Sequence, residues 1–223
     1  MHRTLSLFVF LFCVQFSFAQ IGIHAGYRMN DAQDWALDRG LGEPVQLLSD
    51  GYSFGIDYWI PLKSYRIDFL PQLNYARYDE TGGVASANWA SFFLNTNFYF
   101  LDFEGDCDCP TFSKSGGAFE KGLFFQLSPG ITYRNEEVLQ EETVRESDAI
   151  AYSIGAGLGL DIGVSDFFTI TPMVGFRYFL TEEWEGLSLI QEQNPFDDPL
   201  LSRESAVTQW YTGIRLGFRL DQR

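Results

Sequence analysis

Beyond its first nineteen residues the chain has no run of about 18 apolar residues, the least a bilayer-crossing helix needs. Among 223 residues there are only two histidines and three cysteines, and lysine is scarce. Each shortage removes a class. Without a helical span, a chain that crosses a membrane must do so with strands. With 15 basic residues against 30 acidic ones, there is no surface to neutralise phosphates, and nucleic acid is excluded as a partner. His24 is the one histidine outside the leader. No serine is marked as its partner, so it reads as a hydrogen-bonding side chain rather than the base of an acyl hydrolase. The chain is read as non-enzymatic. No spaced set of His, Cys and carboxylate ligands stands out, so no metal or cofactor is assigned.

The leader is an export signal. Arg3 supplies positive charge, Leu5 to Phe18 is apolar, and Ser17-Phe18-Ala19 places small residues before a cleavage point. Its apolar run is short of the roughly 20 residues of a spanning anchor. Cys13 follows Phe12 rather than the small residue a lipid-attachment site wants. Cleavage after Ala19 leaves Gln20 first and makes the net charge of −15 one unit more negative. The expected organisation is a signal peptide at 1–19 and a single domain at 20–223.

Within that domain, eight segments alternate apolar and polar residues, the signature of strands with two unlike faces. The clearest sets Tyr52, Phe54, Ile56, Tyr58 and Ile60 against Ser53, Gly55, Asp57 and Trp59. Pro71 interrupts the third segment and predicts a bulge, because it lacks a ladder donor. Soluble and membrane barrels both alternate, so the polar face decides. It is crowded with glycine (22, 26, 55, 155, 157, 159, 175, 213, 217) and carries charges of both signs, as a cramped interior requires. The apolar face is nearly charge-free, and Tyr27, Tyr52, Tyr58, Tyr75, Tyr133 and Tyr178 sit near strand ends, where interfacial girdles lie. The fold expected is an all-β, eight-stranded antiparallel up-and-down transmembrane barrel with a polar lumen filled by side chains. Arg66, Asp68, Asp161, Arg177, Arg215 and Arg219 form the expected lumen charge network.

The Ala19-Gln20 junction, Phe92-Phe93-Leu94-Asn95 and Leu127-Ser128-Pro129-Gly130-Ile131 resemble the small outer-membrane barrels of Bacteroidetes-type Gram-negative bacteria called PorT-like. The chain departs from many barrels in ending Leu220-Asp221-Gln222-Arg223, without a terminal aromatic, and in its long central segment. The resemblance implies an integral outer-membrane location, lipid and lipopolysaccharide as surroundings, and, as an alternative role, a subunit of an envelope secretion assembly.

With the N-terminus in the periplasm, strand counting places 29–51, 79–86, 135–148 and 180–205 outside the cell. The acid-rich third and fourth of these are solvated loops or carboxylate sites for divalent cations. Trp184, Leu187, Leu189, Ile190 and Phe196 are too apolar for a linker; they cap the barrel or meet a partner. The insert at about 102–122 falls on the periplasmic side and is longer than a turn requires, which makes it the candidate contact for a periplasmic protein through Phe112, Lys114 and Phe119. Its Cys107-Asp108-Cys109 supports a disulfide best, within the turn or between molecules. Two cysteines and one aspartate make a poor metal set, and the spacing is wrong for thiol exchange.

Overall fold

The computed structural model describes residues 20–37, 45–62, 65–81, 85–101, 122–140, 143–165, 167–188 and 202–219. They form eleven strands in chain order: β1 (Gln20–Asp31), β2 (Ala36–Leu37), β3 (Val45–Gln46), β4 (Gly51–Leu62), β5 (Ile67–Thr81), β6 (Ala85–Phe98), β7 (Leu123–Gln140), β8 (Thr143–Leu160), β9 (Ile162–Ser165), β10 (Phe168–Glu183) and β11 (Glu204–Arg219). β2 and β3 pair only with each other. The rest make one antiparallel sheet that closes on itself. β1 lies between β11 and β4, the following strands pair in sequence, and β10 pairs with β11. β8 and β9 are one strand interrupted at Asp161, since both pair with β10 in the same register (Gly159 opposite Met173, Ile162 opposite Ile170). The molecule is a closed eight-stranded antiparallel β-barrel. Closure leaves no strand edge around the ring, so the backbone is satisfied without solvent.

The barrel is inside out. Tyr52, Phe54 and Ile56 alternate with Ser53 and Asp57; the apolar three are 61%, 62% and 56% exposed and the polar two are buried. Ile21, Ile23, Leu73, Leu94, Leu127, Ile154 and Val174 also face outward. Facing inward are Asn74, Asn95, Gln126, Ser128, Thr132 and Arg177, all buried. An outer surface of bare aliphatic and aromatic side chains over an interior that is polar through the middle of the barrel is the reverse of a soluble barrel. It matches a hydrocarbon solvent.

Prolines 71, 129 and 172 all lie within the strands, and none produces the bulge expected at Pro71. β5 holds one register against β4 on both sides of Pro71, with Asp57 opposite Gln72 and Ile60 opposite Phe69. Only the intervening pairs are missing from that ladder. On the other side Pro71 pairs with Leu94. The missing N–H silences one ladder locally, and pairing on both flanks prevents a slip.

The strand ends that border 32–50, 82–84, 141–142 and 184–203 share one end of the barrel, the loop end; those that border 63–64 and 102–121 share the other, the turn end. Much of the loop end is strand. Residues 135–140 and 143–148 continue β7 and β8 as a paired ladder, with Asn135 opposite Asp148 and Gln140 opposite Thr143. Its polarity on both faces hides it from a search for alternation, while the backbone ladder needs none. Tyr27, Tyr52, Tyr75, Tyr133 and Tyr178 point outward or along the rim below this extension, and Tyr27 and Tyr52 meet edge to face at 5.3 Å.

Candidate functional site

The interior is built from the inward residues of each strand and falls into layers. At the turn end, the Arg66 guanidinium lies 5.0 Å over the Tyr99 ring. The Tyr99 hydroxyl donates to Asp161 at 2.5 Å, and Thr171 donates to the other Asp161 oxygen. Asp68 is buried in the same half. In the next layer the fork of Arg215 grips Asp57, Nε to Oδ2 at 2.8 Å and Nη2 to Oδ1 at 2.7 Å, and His24 Nε2 meets Oδ2. A Cβ on Gly22 would collide with both partners, so this glycine makes the room for the pair.

Farther toward the loop end, Arg177 donates to the Ser128 hydroxyl at 2.7 Å, the Ser128 carbonyl at 3.2 Å and the Ser153 hydroxyl at 3.3 Å. Its guanidinium sits 3.4 Å over Phe93. Arg28 reaches Asn74 at 2.8 Å and Gln209 at 2.5 Å, and lies 5.8 Å from the same Phe93 ring. Amides complete the layer: Asn95 donates to Gln72 at 2.5 Å, and Gln126 to Asn97 at 2.8 Å.

Of the six charges expected to form one network, Arg66, Asp68 and Asp161 gather at the turn end, while the others are distributed differently. Arg215 pairs with Asp57, which the expected set omitted. Arg177 is held by hydroxyls, a carbonyl and a ring, and Asp161 by hydroxyls. Arg66 lies on Tyr99, and the Arg219 side chain lies outside the described residues. Arg28 and Asp57 were legible as polar-face residues of neighbouring strands; pairing the first two segments in register brings Asp57 beside Gly22. Side chains fill the lumen. Among the described residues, the cavities between them, about 20 Å³ near Asp161 and about 50 Å³ beside Arg177, have room for isolated waters but not for a channel.

Above the amide layer the interior turns apolar. Trp89 stacks edge-on with Tyr78 at 4.8 Å and Phe179 at 5.0 Å, and Trp35 with Trp184 at 5.3 Å. Trp35 and Leu47 come from the first long segment, Trp184 and Leu187 from the fourth, and all four are buried. Trp35 Nε1 and Trp184 N share the Arg203 carbonyl, at 2.8 and 3.0 Å. The described residues of the two segments thus fold inward as a cap. Of the apolar residues singled out in the fourth segment, Trp184 and Leu187 serve it; Leu189, Ile190 and Phe196 lie outside the described residues.

Under the cap, Arg134 is wholly buried between Trp35 (5.2 Å) and Trp89 (5.8 Å), with Nη2 donating to the Glu183 carbonyl at 3.2 Å. Its Nε is 3.5 Å from Glu136 Oε1. Glu136 belongs to the hairpin extension beyond the tyrosine rim. Burial pushes its carboxyl up to about 7, although Arg134 and the Trp89 indole pull it down.

His24 faces the Asp57–Arg215 pair rather than a hydroxyl. Among the described residues no three His, Cys, Asp or Glu side chains are grouped to hold a metal ion. Cys107, Cys109, Phe112, Lys114 and Phe119 lie outside the described residues.

No family model and no curated protein matches the chain. Solved structures do. The N-terminal β-barrel domain of Pseudomonas aeruginosa OprF matches at 16% identity, over 90% of this chain and 97% of that one, with a TM-score of 0.45. Ail, the attachment invasion locus protein of Yersinia pestis, matches at 10% identity over 90% and 99%, with a TM-score of 0.47. A major outer membrane protein from Thermus thermophilus gives 10%, 90%, 99% and 0.47 for the same measures. The closed register, rather than these likenesses, establishes that the chain is an eight-stranded β-barrel with its apolar face outward.

Proposed function

We propose that the chain is an integral outer-membrane barrel with a structural, adhesive or surface-binding role, its loop end outside the cell, and that it is neither a pore nor an enzyme. The observation that carries this is the combination of an apolar exterior with a lumen closed by side chains and then by the Trp35–Trp184 cap. Such a body contributes a rigid anchor, and what it offers to other molecules is its loop end. There the β7–β8 hairpin, of two 18-residue strands, is the most extended element described. Purified protein in a planar bilayer is expected to give no stepwise conductance. Stable channels of fixed size would refute the sealed lumen.

The PorT-like resemblance implies one other role, in a secretion assembly reached through the insert at 102–122, for which the structure and the comparisons supply no further support. Deleting Cys107 to Gly117 tests it: unchanged secretion and envelope integrity would remove it, and loss of a co-purifying periplasmic protein would support it.

A further inference from the structure

Part of the described outward surface forms a groove. At the loop-end rim, Phe54, Tyr75, Ala90, Tyr133 and Ile150 form a row across β4 to β8, each opposite the next in register. Ala90 is a single methyl between two tyrosines. The missing bulk opens a groove of about 610 Å³ with Phe92 directly below Ala90 and almost wholly apolar walls. The groove is broad and open to the outside, so an acyl chain lies along its floor between the Tyr75 and Tyr133 walls.

Directly above the groove stand two charges. Arg77 and Asp79 follow Tyr75 on the outward side of β5, with Nε and Oδ1 3.8 Å apart and both side chains largely exposed (72% and 76%). Along a strand, two residues span about 7 Å, so Arg77 sits one headgroup's depth above the tyrosine. The Tyr75 hydroxyl is turned to Asn88 at 2.7 Å, away from the recess. A cation and an anion side by side above an apolar recess complement a zwitterion above an acyl chain. The rim nearby is acidic, with Asp50 and Asp148 exposed, and repels headgroups carrying several phosphates.

We propose that the Ala90 groove is a binding site for one phospholipid with a phosphoethanolamine headgroup, its acyl chain in the recess, its phosphate on Arg77 and its ammonium on Asp79. This rests on the membrane reading above.

The test is native mass spectrometry of the full protein after reconstitution into vesicles of phosphatidylethanolamine and phosphatidylglycerol and transfer to mild detergent. Wild type is expected to retain one phosphatidylethanolamine. Ala90→Trp fills the recess and is expected to lower that occupancy about tenfold. Ile214→Trp, which adds the same ring to the outward face of β11, leaves it unchanged. Arg77→Gln and Asp79→Asn abolish the preference for phosphatidylethanolamine over phosphatidylglycerol. Equal retention by wild type and Ala90→Trp would overturn the site, as would equal retention of phosphatidylglycerol or added lipopolysaccharide by wild type. Each variant is first checked for vesicle insertion and heat-modifiable gel mobility, and Ala90→Leu replaces a tryptophan variant that does not fold. Failure of wild type to insert refutes the membrane reading instead, so the two failures are distinct.

Discussion

Replacing Asp57 with alanine examines the interior most sharply. Asp57 is fully enclosed and Arg215 is 9% exposed, and the two share a pair of bonds at 2.7 and 2.8 Å. Removing the carboxylate strands a buried guanidinium and takes the partner from His24. Breaking such a pair costs about 3–5 kcal/mol. Replacing both partners with apolar residues, Asp57→Leu with Arg215→Met, removes the stranded charge along with the pair and is expected to cost about 1 kcal/mol or less. The assay is reversible urea unfolding in phosphatidylcholine vesicles, followed by the fluorescence of the five tryptophans and by gel mobility. A large loss in Asp57→Ala, mostly recovered in the double variant, is the expected pattern. A single-variant loss under about 1 kcal/mol, the size of a solvated surface pair, would refute the reasoning.

Three further outcomes are expected in the same assay. Gly130→Ala places a Cβ against the Phe93 ring and is expected to destabilise by about 1–3 kcal/mol through overpacking; an unchanged midpoint would show that the ring gives way. Trp184→Ala removes a wholly buried side chain from the cap and is expected to cost about 3–5 kcal/mol, with faster proteolysis at Arg203; resistance equal to wild type would contradict the cap. Glu136 has a folded pKa raised from 4.5 to about 7, so the folded state holds its proton longer than the unfolded one. That contribution is complete below 4.5 and disappears as pH rises to about 7, an effect of up to about 3 kcal/mol. Glu136→Gln is expected to flatten the profile between pH 4.5 and 7; an identical slope would place its cause elsewhere.

The barrel was legible because period-two alternation is a property of each strand alone. Tyr52 to Ile60 declares two faces whatever its neighbours do, and the glycines opposite mark the inner one. What stayed hidden depends on register between strands. Asp57 and Arg215 are 158 residues apart, and only closure of β11 onto β1 makes them neighbours. Arg177 looked like one member of an ion-pair network, because its residue type says nothing of the ring and hydroxyls opposite it. The polar stretch 135–148 looked like a loop because ladder hydrogen bonds leave no mark on composition. Trp184 and Leu187 were recognised as covered, but Trp35 was not. It lies in a segment of mixed polarity, and its burial follows from meeting Trp184.

Everything above depends on a closed sheet that spans a bilayer with its apolar face outward. Gel mobility of the detergent-extracted protein, run with and without boiling, tests this most directly. A folded barrel resists the detergent at room temperature and migrates apart from the boiled chain, and the protein is expected in the outer-membrane fraction. A single mobility under both conditions, with the protein in the soluble fraction, would contradict it.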